Sequence, residues 1–577
     1  MRSPVALAAA LLLAALALFL VYDHTRDDSL SADEPIHILS GYFAVASRSA
    51  IVNIEHPPLI KILSGLSVTR LPLRPPPEKV PMGNVFLSAS PEFFFHNSVP
   101  ADAIIAAARA PQLAVLAALL LLVFAAARSR YGAGPALLAM ALLAFDPNLL
   151  AHAGVVHTDL GATLAFLAVV LAWEAHRRRP TAARLAGAAV ALGLAMATKF
   201  STIYLLPVLA LQTLLAARRE ASPGRTAAAG LWRLAAAGVG ALLVVVAVYA
   251  PVTSRMDPAD QKTVIHEKVA VFGGAPKLAE RIESLADFSR PLAHYVGGLA
   301  SVVRQNDVGG GITYLNGRIS TRGFFDYFFV AFGVKSTLAF LAVTAAVLVA
   351  LARRTGPVAE EVRLWLVPVG VLFLASIGTT YNIGIRHLLP VYPFLALFAA
   401  ALFARAWQAR GTALASAAAA VFWIALPVVS AAETWRIHPY ELSYFNPLAG
   451  GPDRGAAILT DSNVDWGLDL KRLAAELKRR GVTDPTVSYF GGDNVYFRIG
   501  VPDFSAQPVV RGRLVAMSVF FLTAGPEFYA YHGAIPMARA EAALKGRVLA
   551  QGRPAGRIGH SIALFELTGG PTEGEKR

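Results

Sequence analysis

Apolar runs recur along the first three quarters of the chain, separated by short polar connections, and then stop. Runs at 5–21, 104–127, 132–151, 160–175, 183–198, 201–217, 232–250, 330–352, 364–380, 388–404 and 412–431 each approach the ~20 residues a helix needs to cross hydrocarbon. About eleven transmembrane helices are therefore expected. The connections sort by charge. Arg128 and Arg130, Arg177–Arg179 with Arg184, Arg218 and Arg219 with Arg225, Arg353 and Arg354 with Arg363, and Arg405 with Arg410 all fall on one side of that topology. Arginine-rich connections mark the cytoplasm. The reading is a multi-pass protein of the inner or plasma membrane with a cytoplasmic N-terminus. The long 23–103 and 251–329 loops, the turns at 152–159 and 382–387, and everything after Glu433 then lie outside. Arg2 precedes the first run, which continues to Phe19-Leu20-Val21 without a clear small-residue cleavage site, so it is read as an uncleaved anchor.

Within the first loop, 36–45 and 59–68 have the mixed apolar and polar pattern of helices lying in the interface. From about 437 onward the pattern is that of a soluble segment, with a helix expected over 467–480 and strands at 486–490, 514–521 and 561–566. The expected fold is a polytopic α-helical membrane protein, its transmembrane module at 1–436 followed by a small extracytoplasmic α/β domain at 437–577. Composition agrees: of 577 residues, 55% are hydrophobic and 16% charged. The net charge of +14 resides in short clusters between apolar runs rather than along one face, which excludes nucleic acid as a partner and leaves membrane lipids. There is no cysteine, so disulfides and thiolate metal sites are excluded.

Polar residues with catalytic potential gather on the outer side. SADEPIHILSGYFAVASRSAIVNIEHPPLIK, residues 31–61, sets Asp33, Glu34, Glu55, His56 and Lys61 just beyond the first run. An acidic pair at a membrane surface suits proton abstraction from a hydroxyl or binding of a divalent cation. Asp33 is the candidate base, with Glu34 orienting it or raising its pKa through like charge. The double proline after His56 stiffens the turn that presents Glu55 and His56 to substrate. FDPNLLAHAGVVHTDLGA adds Asp146, His152, His157 and Asp159, with Thr158 as the expected N-cap. A divalent cation, if the reaction uses one, falls to Asp33, Glu34 and Asp159. Arg386 and His387 in IGIRHLLP, with Lys199 and Lys335, lie at outer ends of spans, where the positive-inside trend does not explain them. A guanidinium can grip phosphate with two parallel bonds. In DSNVDWGLDL, Asp465 and Trp466 set an aromatic among polar groups, as sugar binding and interface packing both use.

Together these motifs resemble the lipid-carrier-dependent glycosyltransferases of the GT-C class, specifically the family 39 group that includes the dolichyl-phosphate-mannose protein O-mannosyltransferases. The resemblance is carried by Asp33-Glu34, His56-Pro57-Pro58-Leu59 with Lys61, His157-Thr158-Asp159, Lys199, Gly384-Ile385-Arg386 and DSNVDWGLDL, in that order over nearly the whole chain. It implies a polyprenyl-phosphate donor carrying a mannose-like hexose, inversion at the anomeric carbon, and Asp33 as catalytic acidic residue. Lys61, Lys199, Arg386 and His387 would then attend the donor phosphate, and Glu55, His56, His157, Asp465 and Trp466 the substrate. No clear MIR-type insertion interrupts 251–329, so the acceptor is open among protein, lipid and glycan. The competing class is a transporter or flippase of a lipid-linked or anionic solute, expected to carry charged or broken segments at the bilayer midplane. Here the acids cluster at the boundary instead.

Overall fold

The computed structural model describes residues 4–75, 89–353, 359–408 and 413–569. Arg354 and Arg410 lie outside these. Each of the eleven apolar runs forms helix. Among the described residues, seven helices are long and apolar enough to cross a membrane, or nine when two bent pairs are each taken as one span. The remaining runs are shorter: Ala182–Met196 has 15 residues, and Val367–Ile377 has 11 and continues a π-helical turn at Val362–Leu366.

Both bends have local causes. Between Ala133–Ala144 and Pro147–Ala153, bent by 64°, Asp146 accepts a hydrogen bond from the Leu149 amide and Pro147 opens a new helix. Between Tyr327–Lys335 and Leu338–Ala352, bent by 118°, Thr337 caps the second piece through the Phe340 amide. A side-chain acceptor there replaces carbonyls that a continuous helix would have supplied. Asp146 is thus a capping residue away from the cavity described below.

Small residues set how closely the helices approach. Ala6, Ala10, Ala14 and Ala17 make the buried stripe of the first span. The two first-loop helices, Glu34–Ala46 and Leu59–Val68, cross at Gly41 and Gly65, where a Cβ would sit 2.2 Å from the Lys61 carbonyl oxygen and 2.1 Å from that of Gly41. This backbone-to-backbone contact fixes Asp33, His37 and Lys61 relative to one another.

The C-terminal segment carries a four-stranded sheet in the order Thr486–Ser488, Leu514–Ser518, Ile562–Leu567, Gly552–Ile558. Its first pairing is parallel and the others are antiparallel. The helix begins at Leu470, three residues later than expected, and the strand Gly552–Ile558 was not anticipated from its Gly, Pro and Arg content. The segment is tied to the first loop: the Ser29 amide donates to the Leu468 carbonyl at 2.8 Å and the Ala32 amide to that of Trp466 at 2.9 Å.

Candidate active site

The adjacent acids Asp33 and Glu34 point in different directions. Asp33 precedes the helix Glu34–Ala46 without capping it by its side chain, and its carboxylate is 38% exposed to a cavity of about 520 Å³. Arg386 donates to it through Nη1 at 3.0 Å, and His157 Nε2 lies 3.5 Å away. Burial alone would raise this carboxyl, but His157 and Arg386 outweigh it and hold it well below the usual carboxylate range. Glu34, fully buried, accepts from Arg109 Nε at 2.8 Å and Nη2 at 2.7 Å, and from the amides of Ser31 at 2.8 Å and Val156 at 3.0 Å. With those donors satisfied it neither orients Asp33 nor reaches the cavity. Arg109, lost to sequence reading inside a long apolar run, also donates to the Ser29 carbonyl at 2.7 Å and so closes the first loop onto the membrane helices.

Asp159 is buried in the first turn of Thr158–Arg178. His157, not Thr158, occupies the N-cap position, and its side chain does not cap. His157 Nδ1 lies 2.5 Å from Asp159 Oδ2, while Lys199 forms an ion pair with Oδ1. One imidazole therefore bridges the two carboxylates. Because Asp159 pairs with Lys199 and Glu34 faces Arg109, the three acids read as cation ligands point to different partners.

Arg386 is the best supported of the cations. Its Cζ lies 4.3 Å from the ring centre of Trp466, a cation–π contact. The loop that carries it is clamped by the DSN turn: Asn463 Oδ1 accepts from the Ile385 amide at 3.0 Å, and Ser462 Oγ donates to the Ile383 carbonyl at 2.5 Å. A Cβ at Gly384 would stand 2.3 Å from Ser462 Oγ, so this clamp requires glycine. Asp461, at the start of the turn, has a left-handed φ of 59°. Trp466 is buried and does not face the cavity; it supports Arg386. Asp465 is also buried, accepting from the Phe520 amide at 3.1 Å and the Gly467 amide at 3.3 Å, and burial pushes it up to about 8. Neither is among the residues lining this cavity.

Lys61 and Lys335 are struts. Lys61 Nζ donates to the carbonyls of Asn53 and His56 at 2.8 and 2.7 Å, and Lys335 Nζ to those of Leu442 and Asn463 at 2.8 and 2.6 Å. Glu55 accepts from Lys268 at 2.8 Å and Gln305 at 2.6 Å, and Tyr381 donates to Gln305 at 2.5 Å. These partners come from the 251–329 and 378–384 connections, whose sequence gave no sign of them.

The lining of the cavity divides by type between charged or polar side chains, Asp33, Glu55, His56, His157, Lys199, Arg386 and His387, and apolar ones, Phe166, Phe200, Ile203, Leu299, Val302 and Leu372. A charged, hydrogen-bonding head and an apolar extension fit that division.

No match to a curated protein was found. Residues 93–250 match the family described as dolichyl-phosphate-mannose-protein mannosyltransferase. Among solved structures, the chain is similar to the apo oligosaccharyltransferase of Archaeoglobus fulgidus, at 12% identity over 93% of this chain and 72% of that one, with a TM-score of 0.47. It is also similar to ArnT from Cupriavidus metallidurans bound to undecaprenyl phosphate, at 14% identity over 96% and 97% of the two chains, with a TM-score of 0.34. Over residues 93–250 the chain thus matches the dolichyl-phosphate-mannose-protein mannosyltransferase family, which bears out the GT-C resemblance carried by its motifs.

Proposed function

We propose that this membrane protein transfers a sugar, a mannose-like hexose, from a polyprenyl-phosphate donor to an acceptor hydroxyl, with inversion, at the extracytoplasmic face. The observation that carries the reading is one cavity lined both by the paired Asp33 and Arg386 and by aromatic and aliphatic side chains. The phosphate is held by the cationic side chains and the isoprenoid chain by the apolar ones. The family match over residues 93–250 supports the same class of donor.

In the resting site Asp33 is a weak base, because Arg386 and His157 stabilise its anion. A donor phosphate competes for the same guanidinium. As Arg386 turns from Asp33 to the phosphate oxygens, assisted by Lys199, Asp33 loses a cationic neighbour and gains basicity when the substrate arrives. It then accepts the proton of the acceptor hydroxyl as that oxygen attacks the anomeric carbon. The sugar–phosphate bond breaks, and the polyprenyl phosphate leaves with its charge held by Arg386 and Lys199. Displacement on the face opposite the phosphate gives inversion. His157 stands between Asp159, 2.5 Å from its Nδ1, and the Asp33–Arg386 pair at its Nε2, and so holds the two carboxylates in register. The arginine-rich connections on the opposite end face the cytoplasm by the positive-inside trend.

The test uses the full chain in detergent with a polyprenyl-phosphate hexose. Asp33→Asn should lower turnover by roughly a hundredfold or more while donor binding is kept or tightened, since Arg386 is freed. Arg386→Lys should instead weaken donor binding, because the paired bonds are lost. Transfer by Asp33→Asn at the wild-type rate would overturn the proposal.

A further inference from the structure

Behind the Asp33–Arg386 pair, three imidazoles from separate parts of the chain meet. His37 is one turn into the helix Glu34–Ala46 and shares a face with Asp33 four residues earlier. His56 sits on the rigid turn before Pro57, its amide donating to Asn53 Oδ1 at 3.2 Å and its carbonyl held by Lys61. His157 precedes the helix Thr158–Arg178. The ring centres lie 4.7 Å apart for His37 and His157, 4.8 Å for His37 and His56, and 5.5 Å for His56 and His157, with every pair edge to face. One nitrogen from each falls within 4.8 Å of the others.

His176 and His294 are also buried with both ring nitrogens unpaired, so what distinguishes this cluster is that three partner-poor rings converge on one point. His37 is 1% exposed, yet neither of its ring nitrogens has a hydrogen-bond partner, and Nδ1 of His56 has none. A buried polar atom left in that state is costly unless something absent from the polypeptide completes it. Converging imidazole lone pairs form a ligand set for borderline divalent metals, and a carboxylate on the second nitrogen, as Asp159 on His157, is the usual outer support of such a ligand.

We propose that His37, His56 and His157 bind a divalent transition-metal ion of the zinc class. The fourth position faces Asp33, whose Oδ2 is 3.5 Å from His157 Nε2. Arg386 Nη1, 3.3 Å from the same nitrogen, gives up that contact on loading and keeps Asp33 and Trp466. The ion would fasten the first-loop helix, the proline turn and the head of a membrane helix together beneath the cavity. This ligand set differs from the acids singled out in the sequence, and it stands independently of the sugar-transfer reading.

The experiment is metal binding by the full chain in detergent after chelator treatment. The stripped protein should take up about one equivalent of Zn²⁺, its unfolding temperature should rise with added Zn²⁺, and Co²⁺ in its place should give the intense visible bands of a four-coordinate nitrogen and oxygen site. His37→Gln and His56→Gln should each weaken affinity by roughly a hundredfold or more, since a lost ligand should cost at least as much as a lost outer support. His294→Gln, at a buried histidine outside the trio, should leave it unchanged. If the substituted chains do not fold, the Co²⁺ spectrum of the wild-type chain still decides. Wild-type protein that takes up no Zn²⁺ and gives no Co²⁺ bands, or binding in His37→Gln and His56→Gln equal to the wild type, would overturn the site.

Discussion

The two ends of the helical bundle both carry dense ion pairing, but they use it differently. At the arginine-rich end, Glu174 accepts from Arg177 at 2.8 Å through both Nε and Nη2, from Arg178 at 2.8 Å and from Arg363 at 2.9 Å, while Arg130 and Arg178 reach Glu360. Arg178 and Glu360 are 48% and 40% exposed, and the described cavity does not reach them. At the opposite end, Asp33, His157, Asp159, Lys199 and Arg386 pair just as closely. Unpaired polar atoms occur at both ends, Nη1 of Arg363 and both nitrogens of His176 at the first and Nε of Arg386, Nε2 of His387 and both nitrogens of His37 at the second, but the described cavity opens on the second group. Pairing alone marks a join between helices. Pairing with unspent donors beside an open volume marks a place where another molecule can complete the set.

Substitutions that separate the two ends sharpen this contrast. The largest effect is expected at a residue of the site end that is purely structural. Glu34→Gln leaves Arg109 charged and buried without a counter-ion, and should cost about 3–5 kcal/mol of stability, seen as lost yield or a much lower unfolding temperature. If Glu34→Gln folds normally and loses only catalysis, Glu34 belongs with Asp33 after all.

Trp466→Leu comes next. It removes the ring beneath Arg386, worth about 1–2 kcal/mol in a desolvated contact, so donor KM should rise about tenfold with turnover little changed. A fall in turnover with KM constant would mean that Trp466 acts on the chemical step.

A smaller effect separates the ends by pH. His438 lies 2.5 Å from Glu441 and 3.0 Å from Asp23, and its hydrogen bond to Glu441, against burial and with help from Asp23, pushes it up to about 9. Its folded pKa is raised, so its stabilisation is fully present below about pH 6.5, the unfolded value, and fades as pH rises through about 9. Thermal unfolding between those values should show that decline in the wild-type chain and a flatter profile in His438→Gln. The smallest change is expected at the arginine-rich end. Arg178→Gln loses the exposed pair with Glu360 and one of the three arginines on Glu174, which keeps Arg177 and Arg363, and should alter stability by about 0–1 kcal/mol without affecting transfer.

The sequence by itself determined the multi-pass helical architecture, because the length of an apolar run is a one-dimensional quantity set by the bilayer. It also marked Asp33, His157, Asp159, Lys199 and Arg386 as neighbours-to-be, since each stands beside a glycine, proline or span end that had no other need of it. Only the tertiary structure separated Asp33 from Glu34. One peptide bond apart, they turn to a cavity and to Arg109 respectively, and that direction is fixed by the Gly41–Gly65 crossing and by the Val156 amide, 122 residues away from Glu34. Nor could spacing distinguish Lys61 and Lys335, whose ammonium groups are consumed by backbone carbonyls, from Lys199, which reaches Asp159 and the cavity. The meeting of His37, His56 and His157 had no linear signal at all. It follows from three backbones being packed until their side chains share one volume, and that information exists only once the chain has folded.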